Sequence, residues 1–288
     1  MNFSELEDVY SSRTAQQDDE EQATSHAASN LECPIILWNM RVRERFYPEG
    51  LKPELLVLAT SRASCALINA AYSNKQVLGT CILPEVSLSG HHVQPSLKDQ
   101  SCVLYACGQS GEMLLICSQY SVKPERSVSF IKALLHEMHP KQVLILGGVP
   151  SDQLWAGDVD PSQEAALFLL STEASKQVHV SKGQGPPVPP IPYLPSGSIV
   201  TGLAAACLSY CQARSMYADL VVAVDMVPGL AHLSVRPLAD AACKIMSAVN
   251  MPPEFFQTLQ QPGIFKRAAM DVERAYGSSL DGVGAVFV

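Results

Sequence analysis

The sequence predicts a layered α/β/α domain on a mixed, mostly parallel sheet with one hairpin. Short apolar runs alternate along the chain with segments of helical spacing, the order that lays helices on a sheet. In "SCVLYACGQSGEMLLICSQYSV" two apolar runs are separated only by "GQSGE", which is a hairpin signal. No internal repeat interrupts this order, and neither half of the chain has a full complement of strands, so one domain is expected rather than two.

Taken in order, "PIILWN" (34–39) reads as a short buried strand and "PELLVLAT" (53–60) as a second. "SRASCALINAAYSN" has helical spacing at Cys65, Ile68, Asn69 and Tyr72, and "QVLGTCILPEV" returns to a strand. Within the hairpin, Gly108 and Gly111 supply the positive φ that a tight connection needs. "KPERSVSFIKALLHEMHP" is an amphipathic helix with Val128, Ile131, Leu134, Leu135 and Met138 on one stripe and Pro140 closing it. "KQVLILGGVP" is a strand ended by Gly147-Gly148. "SIVTGLAAACLSYCQARSM" reads as a long helix, N-capped by Ser198, with apolar positions around most of its circumference. After it come the buried strand "ADLVVAVDMVP", the helix-like "SVRPLADAACKIMSAV", the short "PPEFFQTLQ" and a final helix in "KRAAMDVERAYG".

Around this domain, expected to span 31–276, the sequence changes character. Residues 1–30, with "QQDDEEQATSHAASN", read as a disordered acidic leader. Residues 181–197, "SKGQGPPVPPIPYLPSG", read as an extended proline-rich connector inside the domain, and 277–288 as a flexible tail. With 288 residues, 47% of them hydrophobic, the chain is long enough to bury a sizeable core. A net charge of −8 argues against a general nucleic-acid or anionic-membrane surface. No apolar run approaches a membrane span and the N-terminus lacks the order of a signal peptide, so the expected address is the cytoplasm or nucleus. The nine cysteines form no CxxC pair and sit mostly among Val, Leu, Ile and Ala, which reads as small buried thiols in a reducing compartment.

Chemistry is sparse. "ILGGVPSD" puts glycines after a strand, yet Pro150 and Asp152 follow where a phosphate loop would run into a helix. His136 and His139 have the separation of a metal pair on a helix, but nothing nominates a third ligand, and histidines in a last turn also favour the helix dipole. Ser209 lies deep in a helix rather than on a nucleophile elbow, and Cys207 and Cys211 share a core-facing side. His91-His92 lie in a polar loop with nothing to orient them as a base. No catalytic, metal or cofactor site is expected, and the weight shifts to binding. The rival reading is an enzyme of the nucleoside phosphorylase or hydrolase sort, supported by fold-level analogy, with Gly147-Gly148 as the place to look.

One segment is more specific. "GLAAACLSYCQARSMYADLVVAVDMVPGLAHLSVRPLADAACKI" (202–245) resembles a helix–strand–helix of the proteasome assembly chaperone 1 family, with Leu208, Ser209, Tyr210, Cys211 and Gln212 on the helix and a buried strand ending near Asp225. The likeness extends in outline over 34–260. It implies a non-catalytic α/β protein that pairs with proteasome assembly chaperone 2 and promotes assembly of the 20S proteasome α-ring. It also implies a C-terminal tail that enters a pocket between neighbouring α subunits: Val286 at the hydrophobic position, Phe287 where tyrosine is usual, and Val288 supplying the carboxylate. Taken by itself, the apolar end Val286-Phe287-Val288 on a Gly- and Ser-rich stretch reads as packing back on its own domain, and the resemblance turns the expectation to a foreign pocket.

Overall fold

The computed structural model describes residues 33–86, 101–120, 122–155, 166–181, 191–225, 231–248 and 251–276. The expected leader, His91-His92, most of the proline-rich connector and the tail with Val286, Phe287 and Val288 lie outside the described residues.

Eight strands form one sheet: β1 (Ile35–Trp38), β2 (Leu55–Ala59), β3 (Gln76–Ile82), β4 (Cys102–Cys107), β5 (Met113–Ser118), β6 (Gln142–Pro150), β7 (Ala166–Ser171) and β8 (Tyr217–Asp225). Their spatial order is β1-β3-β4-β5-β2-β6-β8-β7. The four central strands β5, β2, β6 and β8 pair in parallel, and the flanking pairs are antiparallel. The layered class with a mixed sheet and a β4–β5 hairpin therefore stands, with the parallel strands as its central block. Gly108 and Gly111 take φ of +98° and +74° in the hairpin connection.

Helices cover both faces. The described helices are α1 (Met40–Phe46), α2 (Arg62–Ala71), α3 (Pro124–Leu135), α4 (Glu173–Ser181), α5 (Gly202–Ala213), α6 (Val235–Ala248), α7 (Pro253–Leu259) and α8 (Pro262–Tyr276). Leu55, Val57 and Ala59 of β2 join the core under α2, α6, α7 and α8, while Leu56 and Leu58 join the core under α1, α3 and α5. This two-residue alternation lets a continuously apolar strand supply both layers. Eight of the nine cysteines are buried free thiols and Cys33 is exposed.

Several expectations change. β1 is an edge strand rather than a buried one: Ile35 and Leu37 are 50% and 53% exposed, while Ile36 and Trp38 pack on the core. On α3, Val128 is exposed and Phe130 is buried in its place. α3 ends at Leu135, before the expected stop at Pro140, and Met138 bridges to Leu51 instead of continuing the helix. β6 runs through Gly147 and Gly148 to Pro150, because both glycines pair with Val222 and Ala223 of β8. α5 starts at Gly202 with Thr201 as N-cap, so Ser198 caps nothing there. α8 begins at Pro262, ahead of the expected segment. α1, β7 and α4 were not expected. Of the connector, Pro192–Leu194 lies along β7: the Leu169 N–H donates to Pro192 O at 2.8 Å and the Leu194 N–H to Leu169 O at 3.1 Å. Proline there limits further pairing, which suits a segment covering a sheet edge.

One polar cluster fixes the α4 end of the sheet. Asp219 is fully buried, and its carboxylate accepts from Ser171 Oγ at 2.6 Å, Ser175 Oγ at 2.8 and 2.9 Å, and Gln142 Nε2 at 3.1 Å. Thr172 Oγ1 accepts from the N–H of Ser175 and of Ala218. These donors and the first turn of α4 help to stabilise a buried carboxylate here.

Candidate docking surface at the carboxyl edge of the parallel strands

In open α/β sheets the carboxyl ends of parallel strands are where ligands usually sit. Here β2 stops at Ala59 while β6 continues, and Leu146 is the last β6 residue in register with β2. Its carbonyl takes up the donors that follow β2. It accepts from the Thr60 N–H at 3.0 Å, Thr60 Oγ1 at 3.3 Å and Ser64 Oγ at 3.1 Å. Ser61 and Ser64 form a reciprocal capping box at the start of α2. A Cβ on Gly147 would stand 3.2 Å from Ala204 Cβ, 3.4 Å from Leu220 Cδ1 and 3.4 Å from Thr60 Oγ1. The glycine lets α5 approach the sheet, and the hydroxyls that could have faced a substrate serve the backbone.

The other residues singled out by the sequence do not converge on this edge. Ser209 is exposed on α5, whereas Cys207 and Cys211 are buried on its inner side. Donation of its S–H to Cys211, together with burial, pushes the Cys207 thiol up, and the same contact holds Cys211 below the usual thiol value. His136 is the C-cap of α3, and the exposed His139 donates its backbone N–H to Leu51 O. Among the described residues, no group of three or more His, Cys, Asp and Glu is placed to hold a metal ion.

The carboxyl edge instead presents an apolar platform. After β6 a single 3₁₀ turn, Ser151–Gln153, leads to Trp155, whose side chain is 75% exposed. The ring lies on Gly197, at φ +93°: a Cβ there would meet Trp155 Cγ at 3.1 Å. The Trp155 N–H donates to Ser198 Oγ at 3.0 Å and the Ile199 N–H to Gln153 O at 3.0 Å. These bonds tie the two segments together and leave Ile199 61% exposed. A second apolar surface lies at the opposite end of the strand order, where Ile35, Leu37 and Met40 are exposed on and beside β1.

The end of α8 reaches the same carboxyl edge. α7 lies at the amino edge, where Tyr72 Oη at the end of α2 donates to Phe255 O at 2.9 Å. From there α8 packs along α2 through buried Ile264, Ala268 and Val272. Its last turn meets the 3₁₀ turn Ala231–Ser234 that follows β8, with His232 Nε2 3.6 Å from Glu273 Oε1. α8, whose last residue is Tyr276, therefore ends at the carboxyl edge of the sheet.

Fold and surface together define a helix-layered α/β domain that, among the described residues, exposes apolar side chains at its carboxyl edge and on β1. No protein-family model matches the chain, and no curated protein matches it. Solved structures do. The chain is similar to PbaB of Pyrococcus furiosus, an archaeal proteasome activator, at 13% identity and a TM-score of 0.53, over 87% of this chain and 100% of that one. It is similar to PbaA of the same organism, an archaeal homolog of proteasome-assembly chaperone, at 12% identity and 0.53, over 88% and 99%. A Thermoplasma acidophilum protein of unknown function matches at 14% identity and 0.53, over 84% and 94%. At these identities the likeness is one of fold. No described helix is long and apolar enough to cross a membrane.

Proposed function

We propose that the protein is a non-catalytic chaperone of proteasome assembly that pairs with a related chaperone, proteasome assembly chaperone 2, and docks on the 20S α-ring partly through Val286, Phe287 and Val288. The observation that carries this reading is the carboxyl edge itself. Where an enzyme of this fold would gather reacting groups, Thr60 and Ser64 are held by Leu146 O, and Trp155 and Ile199 face solvent instead. The fold likeness to an archaeal proteasome activator and to an archaeal homolog of proteasome-assembly chaperone supports it, as does the resemblance over 202–245. Gly147, where a nucleoside phosphorylase or hydrolase would be sought, packs against Ala204 inside a paired strand, which favours the chaperone reading.

The tail supplies the chemistry of docking. Burying a phenyl ring is worth about 1.5–3 kcal/mol before ordering costs. A terminal carboxylate facing a lysine adds a charge-assisted hydrogen bond. Phenylalanine lacks the tyrosine hydroxyl, which removes a bond worth about 0.5–1.5 kcal/mol and suits a factor that must later leave. One such tail is weak alone, and a partner's tail on the same ring raises its effective concentration.

The test is reconstitution from purified parts: this chain, the related chaperone and free α subunits, followed by sedimentation. The reading expects a heterodimer that co-sediments with α subunits and hastens ring formation. A chain that stays apart from both contradicts it.

A further inference from the structure

We infer that in the free protein the apolar end of the tail rests on the Trp155–Ile199 platform, so that the domain holds its own docking tail until a partner pocket competes for it. This deepens the proposed role of the tail and rests on it only for its consequence, since the contact itself exists or fails in the isolated chain.

Three observations carry the inference. Trp155 is 75% exposed and Ile199 61%, and the Trp155–Ser198 and Ile199–Gln153 hydrogen bonds join the two segments that carry them. A large aromatic side chain seated by Gly197 and open to water offers a ready apolar contact surface. The chain outside the described fold begins after Tyr276, on the edge that carries this platform. Its twelve residues, 277–288, end in Val-Phe-Val. A Gly- and Ser-rich coil of that length has a root-mean-square span of about 17–20 Å. Packed layers are separated by about 10 Å, so the layers on the two faces of the sheet stand about 20 Å apart, and twelve residues are enough to pass from the α8 side of the edge to the platform. The chemistry is also matched. Phe287 is the one aromatic residue after Tyr276 and can pair with the indole edge-on or offset. The terminal carboxylate next to it is an acceptor for the indole N–H of Trp155.

The consequence is a competition. A tail held half the time presents half of its population to an outside pocket, which weakens apparent affinity by about twofold. Displacement by the α-ring would then expose the platform at the moment of docking.

The test uses the two tryptophans, Trp38 and Trp155, whose indole N–H groups give two separate NMR signals. Trp155→Phe identifies the Trp155 signal by its loss. The inference expects that signal to move when the chain is ended at Ala285, to move likewise in full-length Phe287→Ala, and to return when a peptide of residues 277–288 is added to the shortened chain. The Trp38 signal should stay in place throughout. A Trp155 signal identical in the full and shortened chains overturns the inference. So does one that moves with protein concentration whether or not the tail is present, which would mean that a second copy covers the platform. None of these outcomes bears on whether the tail binds an α-ring, so failure here leaves the proposed function to its own test.

Discussion

Trp155 lies across Gly197, with the position of a Gly197 Cβ only 3.1 Å from the indole Cγ and 3.3 Å from Cδ1. Two segments that are remote in sequence thus build one surface, and the glycine does it through both its bareness and its φ of +93°. Gly197→Ala should cost about 1–2 kcal/mol from the backbone conformation alone and push the ring off its seat. Urea unfolding and the indole N–H shift of Trp155 check this. A variant with wild-type stability and an unmoved indole signal contradicts the described seat.

At the α4 end, Asp219 gathers Ser171, Ser175 and Gln142 around one buried carboxylate. Asp219→Ala removes the acceptor and strands those donors, with an expected loss of about 2–5 kcal/mol, and Asp219→Asn should cost less because one acceptor oxygen remains. Denaturant midpoints for the two variants give the order, and equal or negligible losses would show that the cluster does not hold α4.

β1 depends on a missing side chain. A Cβ on Gly79 would stand 2.7 Å from Leu37 O and 3.1 Å from Trp38 Cε3. Gly79→Ala must therefore shift the β1 backbone. We expect faster amide exchange at Ile35, Leu37 and Asn39, whose N–H groups alternate toward β3, with α8 unaffected. Unchanged exchange in β1 would count against the described register.

The buried thiols set an alkaline limit. Burial, with a smaller effect of Asp240, pushes Cys243 up to about 11, and burial pushes Cys81 up to about 12 against the opposing charge of Arg126, from an ordinary value of 9.0. An acid whose folded pKa is raised ionises first in the unfolded chain. Its contribution to stability is complete below pH 9.0 and is lost as the pH rises through the folded values. Thermal midpoints should therefore fall steadily above pH 9, and Cys81→Ala should flatten that fall. A midpoint constant from pH 8 to 11 contradicts the burial of these thiols.

What the sequence could show followed from where its signals are written. β2, β6 and β8 are buried on both faces, so each is a continuous apolar run and legible as such. β1 has the same kind of run, IILW, and only its place at the end of the sheet makes half of it exposed. β7 lies between Gln163-Glu164 and "TEASKQ", in a stretch whose Ala, Leu, Glu and Lys favour helix, and its pairing with β8 decides otherwise. Gly147 and Gly148 carried a turn signal that a long partner strand overrode. The Trp155 platform had no local signature, because its other half is Gly197 and Ile199. A tryptophan just after a Gly- and Pro-bearing strand end was the one available hint.

The docking proposed for Val286, Phe287 and Val288 is tested by the affinity of purified proteasome α-rings for the full chain and for the chain ended at Ala285. Loss of the phenyl burial and the terminal carboxylate should weaken binding by about tenfold or more, with the same denaturant midpoint for both chains, and Phe287→Tyr should bind modestly tighter than wild type. Equal affinity of the full and shortened chains, or no binding by either, would contradict it.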